Sequence, residues 1–324
     1  MEPLALGAAR LHRLVLPLPL ALREINVYLV EGPGGVALVD TGMATPAART
    51  ALEDQLRQRG LEVGQVKQLF ITHFHVDHFG QADWLKGRGA RISMPRVDSE
   101  RIQYWLTHPE FDEESLAYFV ELGAPPATLE RARRAMASMR AAAPVFAADE
   151  EVDDGERLEL AGETFEVLLT PGHSPGHACL HHPASGTLLV GDHVLPLITP
   201  NISLSHETEE DPLGDYRRSL RKVRGRGFAL GLPAHGPTID DLDRRIDEIL
   251  AHHDEREALL LSLLGERTAS CFELSEGLFE ISRLDGWETW MAVGETRAHL
   301  RALEVNGQIT AVRRGGLILF RAVQ

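Results

Sequence analysis

The residues best suited to chemistry lie in the stretch T-H-F-H-V-D-H-F-G at 72–80, directly after an apolar run. Alternate side chains of an extended backbone share a face, so His73 and His75 can converge on one ion. After a turn, Asp77 and His78 can point at a second ion beside it. Imidazole and carboxylate together suit zinc, and less selectively iron or manganese. The pattern therefore predicts a metal site rather than an exposed polar loop.

Further candidate ligands follow other predicted strands. His173 lies in P-G-H-S-P-G-H after a strand expected at 164–169. Asp192 lies in G-D-H, and His235 lies in P-A-H-G. Proline restricts the backbone and glycine permits sharp turns, which together would fix the direction of a ligand. Because loops at strand ends gather to build sites, we expect these residues to contribute to one site.

Nearby polar residues leave alternatives open. His177 is either a support behind a metal ligand or a structural turn residue. His193 follows Asp192 directly and either lines the pocket or packs in the interior. The segment 199–203, T-P-N-I-S, is either a pocket wall or a connecting loop.

Composition limits the class of protein. The 324 residues are 44% hydrophobic and 25% charged, as in an ordinary globular chain, with a net charge of −15. That charge opposes non-specific attachment to nucleic acid or to anionic lipid. The only cysteines, Cys179 and Cys271, form no disulfide framework and fit a reducing compartment. We expect a soluble, cytoplasmic protein.

The apolar run 14–22 is interrupted by Pro17 and Pro19 and lacks a basic leader. It therefore predicts a strand and a bend rather than a signal peptide. No apolar run approaches the roughly 20 residues that span a bilayer, so no membrane association is expected.

Predicted hairpins at the start of the chain are followed by strand–helix–strand alternation, which indicates a mixed sheet with helices outside. These first elements are strands at 12–16, 25–30 and 36–40, a helix at 46–59, a strand at 66–71 and a helix at 81–86.

Four regions differ in pattern. A catalytic domain is expected at 1–240, with a helical insertion at 98–143 that is either a lid over the pocket or a packing element. A connecting helix is expected at 241–265. Residues 266–324 predict two helices followed by a two-stranded hairpin, which is the order of a winged helix. This tail carries seven Arg and eight Asp or Glu, a net charge of −1, so a packing or dimer element is favoured over a nucleic-acid contact.

Taken in order, these motifs resemble the signature of the metallo-β-lactamase-fold hydrolase superfamily. The match runs from Asp40 in V-D-T-G, through H-F-H-V-D-H, to His235, and covers roughly 10–240. The tail resembles the winged-helix end of a lactamase-like subgroup, which includes an endoribonuclease acting on single-stranded RNA.

The resemblance implies an α/β fold, an αββα sandwich with the site at one edge. It also implies two zinc ions per chain, with Asp40 orienting the metal loop. The implied ligands are His73, His75 and His173 for the first zinc, Asp77, His78 and His235 for the second, and Asp192 as the bridge.

A bridging carboxylate, where true lactamases carry cysteine, is similar to glyoxalase II, lactonases and phosphodiesterases of the superfamily. Two zinc ions about 3.5 Å apart would lower the pKa of a bridging water towards 7 and supply hydroxide. Asp77 is the expected catalytic residue, since it can accept a hydrogen bond from that hydroxide and aim it.

The predicted function is hydrolysis of a small-molecule thioester, ester or lactone. The alternative is a metal-dependent phosphodiesterase or endoribonuclease acting on single-stranded RNA. A third possibility is the single-iron oxygenase found in some members of the superfamily.

Overall fold

The computed structural model describes residues 2–206 and 210–323. The β-strands are β1 (Leu4–Leu6), β2 (Ala9–Pro17), β3 (Glu24–Gly32), β4 (Gly35–Val39), β5 (Val66–Phe70), β6 (Arg91–Pro95), β7 (Glu150–Val152), β8 (Arg157–Leu160), β9 (Glu163–Leu169), β10 (Ala178–His182), β11 (Thr187–Gly191), β12 (Leu230–Pro233), β13 (Ala269–Ser270), β14 (Ile309–Arg314) and β15 (Leu317–Ala322).

Helices lie between these strands. The α-helices are α1 (Pro46–Arg57), α2 (Val76–Phe79), α3 (Ala82–Lys86), α4 (Arg96–Thr107), α5 (Glu110–Glu121), α6 (Pro126–Ala142), α7 (Pro212–Val223), α8 (Leu242–Leu264), α9 (Cys271–Leu278) and α10 (Gly286–Val305).

The first of two compact units contains the chain up to Leu106, Ala142–Pro200 and Arg221–Ile246. Within its described residues, β1 to β7 form one sheet in sequence order, antiparallel up to β4 and parallel beyond it. A second sheet has the order β12-β11-β10-β9-β8, in which only the β11–β12 pair is parallel. This is the mixed α/β architecture that the alternating pattern predicts.

Strand β3 shows how the sheets pack, because both of its faces are buried. Ile25, Val27 and Leu29 face an apolar cluster that includes α1 and α3. Tyr28 and Val30 face the other way, into a cluster shared with the second sheet. Side chains of a strand alternate between faces, so a strand buried on both sides is a continuous apolar run. The two sheets therefore pack face to face, with helices outside, and the predicted αββα sandwich is confirmed.

The second unit contains Thr107–Ala141, Asn201–Leu220 and the chain from Asp247 onwards. Its core joins residues of α5, α8, α9 and α10 to a small sheet of order β13-β15-β14. Helices α9 and α10 each begin with a capping box, at Ser270 and Asp285, which satisfies backbone N–H groups of the first turn. The predicted helix–helix–hairpin order is present, whereas the winged-helix assignment and the domain boundaries stay predictions.

Some predictions for individual segments of the chain are confirmed, and others differ from the structure. The run 14–22 is a strand and a bend, as predicted: β2 ends at Pro17, and Leu18 N donates to Arg23 O at 2.7 Å. The sequence also predicts a strand at 228–230 before P-A-H-G, and the structure has it two residues later, as β12. The sequence prediction lacks β6 and α7. In the described part of the chain, no helix is long and apolar enough to cross a membrane.

Candidate metal centre

The candidate ligands of the first unit follow the carboxyl ends of four strands. Strand β5 leads into the loop 72–78, β9 leads into the loop 170–177, and β11 and β12 lead directly to Asp192 and His235. Strands β9, β11 and β12 run in one direction within their sheet, so their loops emerge at one edge. The gathering of loops at strand ends, expected from the sequence, is what the structure shows.

All seven candidate ligands lie together. They form three overlapping groups. Within each group, the ligand atoms, one nitrogen or oxygen from each residue, lie within 4.8 Å of one another. The groups are His73, His75 and His173; then His73, His78 and Asp192; then Asp77, His78 and His235.

The first group is a cluster of imidazole nitrogens. His73 Nε2 lies 2.9 Å from His75 Nδ1 and 3.3 Å from His173 Nε2. Two nitrogen lone pairs repel at such a distance, so either a proton or a cation must lie between them. Three neutral imidazoles that converge in this way suit a borderline-soft metal ion.

The second and third groups place carboxylates among imidazoles. Asp77 Oδ2 lies 3.4 Å from His235 Nε2 and 3.7 Å from His78 Nε2. Asp192 Oδ2 lies 3.5 Å from both His78 Nε2 and His173 Nε2. Asp192 therefore lies between the group of His73, His75 and His173 and the group of Asp77, His78 and His235, where its two oxygens can serve both.

Asp40 fixes the ring of His78. His78 Nδ1 donates to Asp40 Oδ2 at 2.8 Å, and the backbone N–H of Thr72 donates to Asp40 Oδ1 at 2.9 Å. A proton on Nδ1 leaves the lone pair of Nε2 directed into the site. Asp40 has a φ of 63°, in the left-handed region, and such strain is common at functional sites.

The other end of the centre is supported by main chain. His235 Nδ1 donates to the carbonyl oxygen of Glu24 at 2.8 Å, so its Nε2 also faces inward as an acceptor. Within the described residues, the buried atoms His78 Nε2, His235 Nε2 and Asp192 Oδ1 make no hydrogen bond, although carboxylate oxygens lie 3.5 Å from His78 Nε2 and 3.4 Å from His235 Nε2. Because unpaired buried polar atoms are costly, this donor set fits a bound cation.

Charges within the centre agree with that fit. Burial alone would raise the pKa of Asp77, but His78 and His235 lower it to about 2. Burial alone would lower the pKa of His78, but Asp40, Asp77 and Asp192 raise it well above its usual value. Burial lowers the pKa of His75 to about 3, and His173 adds to that shift. The carboxylates thus favour positive charge here, from protons or from metal.

His177 supports Asp192 from behind. Its Nε2 accepts from the backbone N–H of Asp192 at 3.1 Å, and its Nδ1 lies 2.8 Å from Thr170 Oγ1. Both alternatives for His177 are seen, because it also closes the turn: its carbonyl oxygen accepts from the backbone N–H of Thr170 at 2.7 Å. His193 is fully buried, with its ring 6.1 Å from that of His177.

The sequence prediction missed two residues beside the centre. Asp98 accepts hydrogen bonds from both histidine loops, and the carbonyl of Glu24 accepts from His235. Neither belongs to a spaced motif. Asp98 stands at the start of a helix, where an acidic residue is common for helical reasons alone.

The fold and the donor set together define a class of protein. The sequence profile of the metallo-beta-lactamase superfamily matches residues 20–235, and the chain belongs to this family. That confirms the predicted resemblance and the prediction of a metal-dependent hydrolase at the level of class.

Three similar proteins cover nearly the whole chain. The probable metallo-hydrolase YqjP of Bacillus subtilis is 27% identical over 95% of this chain and 96% of its own. The metallo-beta-lactamase family protein TTHA1429 from Thermus thermophilus is 35% identical, with a TM-score of 0.86 over 97% of this chain and 98% of its own. A beta-lactamase domain protein from Burkholderia ambifaria is 29% identical, with a TM-score of 0.86 over 99% and 94%.

Proposed function

We propose that this chain is a dinuclear zinc hydrolase that cleaves a small-molecule thioester, ester or lactone. The observation that carries the proposal is the position of Asp192 between two groups of ligands, each able to hold one ion. His73, His75 and His173 would hold the first zinc, Asp77, His78 and His235 the second, and Asp192 both.

When bound, two zinc ions supply Lewis acidity and an activated water at neutral pH. The protein supplies orientation. Asp77 stays ionised and has a side chain that is 13% exposed, so it can accept a hydrogen bond from the attacking water and aim it at the substrate. Asp40, Thr72 and the carbonyl of Glu24 hold the rings of the ligands in place.

Apolar side chains beside the centre support a small, partly apolar substrate. Leu197 and Ile198 are 76% and 45% exposed, shortly after Asp192. Their segment lies next to His235, since a Cβ at Gly236 would be 2.9 Å from Pro196 Cγ. Exposed apolar groups at the rim of a polar site are typical of ligand pockets.

The second candidate is a phosphodiesterase or endoribonuclease acting on single-stranded RNA, and the helix–helix–hairpin order of the tail favours it. The net charge of −15 opposes it. Arg313 of the hairpin is paired with Glu121 at 2.7 Å rather than presented alone.

A homodimer and a cytoplasmic location stay predictions. Both cysteines are free and buried, which agrees with a reducing compartment.

The test is a substrate panel of thioester, lactone, phosphodiester and single-stranded RNA, run on zinc-loaded wild type, His75→Ala and His12→Ala. His12 is the matched control, because it lies on β2 and belongs to none of the three ligand groups. We expect thioester or lactone cleavage by wild type and His12→Ala, and its loss in His75→Ala and after chelation.

Mass spectrometry of the purified protein should find about two zinc ions per chain. Cleavage of RNA alone would establish the second candidate instead. Full activity of metal-free protein would refute both, and a single iron would favour an oxygenase.

A further inference from the structure

Asp98 joins two loops whose candidate ligands are a hundred positions apart in sequence. We propose that Asp98 is a positioning residue for the first metal ion, the one expected between His73, His75 and His173. This inference rests on the proposed dinuclear function. It assigns a role to a residue that touches none of the reacting atoms.

The carboxylate of Asp98 is fully buried and accepts three hydrogen bonds. Its Oδ2 accepts from the backbone N–H of Phe74 at 2.9 Å and from Ser174 Oγ at 2.5 Å. Its Oδ1 accepts from the backbone N–H of Gly176 at 2.6 Å. Hydrogen bonds to an ionised acceptor are short and strong, so this carboxylate connects two main-chain segments firmly.

The donors stand directly beside the ligands. Phe74 separates His73 from His75, and Ser174 follows His173. Holding the main-chain N–H of Phe74 and the hydroxyl of Ser174 therefore sets where all three imidazoles of the first group begin. The second ion's own ligands, such as His78, are supported from elsewhere, by Asp40.

Gly176 is shaped to this contact. A Cβ there would lie 2.7 Å from both the backbone nitrogen and Oδ1 of Asp98. Only a residue without a side chain lets its N–H approach the carboxylate so closely. The presence of the second glycine of the P-G-H-S-P-G-H motif, Gly176, is thus explained by Asp98 rather than by turn geometry alone.

An Asp98→Asn variant tests the role with little change of shape. An amide has one acceptor oxygen, so its nitrogen must face the N–H of either Phe74 or Gly176, and one loop loses its anchor. We expect the affinity for one of the two zinc ions to fall about 10- to 100-fold, as for other supports behind a ligand, while the other ion binds as before.

Two titrations separate the ions. Zinc affinities are measured by competition with a chromophoric chelator, and Co²⁺ spectra of His75→Ala and His235→Ala identify the signal of each site. At one equivalent of Co²⁺, the spectrum of Asp98→Asn should match that of His75→Ala. Excess zinc should restore kcat in Asp98→Asn with KM unchanged, which replacement of a ligand would not allow.

Asp149→Asn is the matched control. Its carboxylate, in the same unit, also accepts from a backbone N–H, that of Ile92 at 2.9 Å, but outside the two histidine loops. We expect Asp149→Asn to bind zinc with wild-type stoichiometry and to give wild-type Co²⁺ spectra. Ser174→Ala removes one of the three bonds to Asp98 and should weaken the same ion by a smaller factor.

Unchanged affinities in Asp98→Asn, or equal weakening of both ions, would overturn the inference. If Asp98→Asn fails to fold, as judged by circular dichroism, Ser174→Ala decides: unchanged zinc affinity there also overturns it. A wild type that binds no zinc would instead refute the proposed dinuclear function, which keeps the two failures distinct.

Discussion

At the scale of single residues, the centre depends on atoms that face away from it. His73, His78 and His235 each place Nδ1 against an oxygen acceptor, which leaves Nε2 directed inward. A histidine alone presents either nitrogen to a metal, and its partner decides which. The supports behind the ligands therefore determine the geometry as much as the ligands do.

Asp40→Asn should weaken the second metal ion selectively. Asparagine tolerates the left-handed backbone of Asp40, so the fold should persist. It loses the charge that holds His78 Nδ1, and we expect about 10- to 100-fold lower affinity for one zinc.

The measurement is the same chelator competition, with Asp54→Asn on α1 as the control. The Co²⁺ spectrum should resemble that of His235→Ala, opposite to the result expected for Asp98→Asn. Loss of the first ion instead would contradict this assignment of supports.

At the scale of elements, the loop 40–44 is the base on which the short helix α2 rests. The N–H and hydroxyl of Thr41 both donate to His78 O at 2.8 Å. Gly80 follows α2, and a Cβ there would lie 2.7 Å from Ala44 N and 2.8 Å from Gly42 O. These neighbours are backbone atoms, so they cannot move aside cheaply.

Gly80→Ala should therefore destabilise the protein, by about 1–3 kcal/mol in the free energy of unfolding, as overpacking typically does. Gly64→Ala is the matched control, since a Cβ at Gly64 meets nothing within 4 Å and its φ is not positive. Urea unfolding of metal-free protein measures both, and equal midpoints for the two variants would show that the close contact at Gly80 has no energetic consequence.

At the scale of the whole molecule, buried neutral histidines couple stability to pH. In the second unit, His253 Nδ1 lies 3.1 Å from His299 Nε2, and both residues are buried. Burial lowers the pKa of His253 to about 2 and that of His299 to about 4. Below pH 6.5 the unfolded chain binds protons that the folded chain does not, so stability falls as the pH falls.

His253→Gln removes one of these groups. Its free energy of unfolding should decline less steeply than that of wild type below pH 6, by about 1 kcal/mol per pH unit. Urea titrations of metal-free protein at about pH 7.5, 6.5, 5.5 and 5.0 give the comparison. Parallel curves would mean that His253 is protonated in the folded state.

The pattern of the sequence predicted a mixed sheet with helices outside, and the resemblance to the superfamily added the sandwich and the full set of candidate ligands. Alternating and continuous apolar runs decide which strand faces are buried, and polar residues directly after strands fall at a sheet edge. The seven candidate ligands from His73 to His235 could be named because their motifs, taken in order, also resemble the signature of the superfamily. Strand β6, with the sequence R-I-S-M-P, has few apolar residues and ends in proline, so it carries no clear strand pattern.

Only the tertiary structure showed the supports at Asp98 and at the backbone carbonyl of Glu24, whereas Asp40 was already expected from the resemblance. Asp98 acts through a contact with Ser174, which is 76 positions away in sequence. Glu24 acts through a contact with His235, which is 211 positions away. Such contacts leave no spacing in the sequence, because they depend on how separate loops meet in space. For Asp192, a strand end by itself predicts only that a carboxylate is near the site. The resemblance implied its place between two sets of ligands, and packing brings it there.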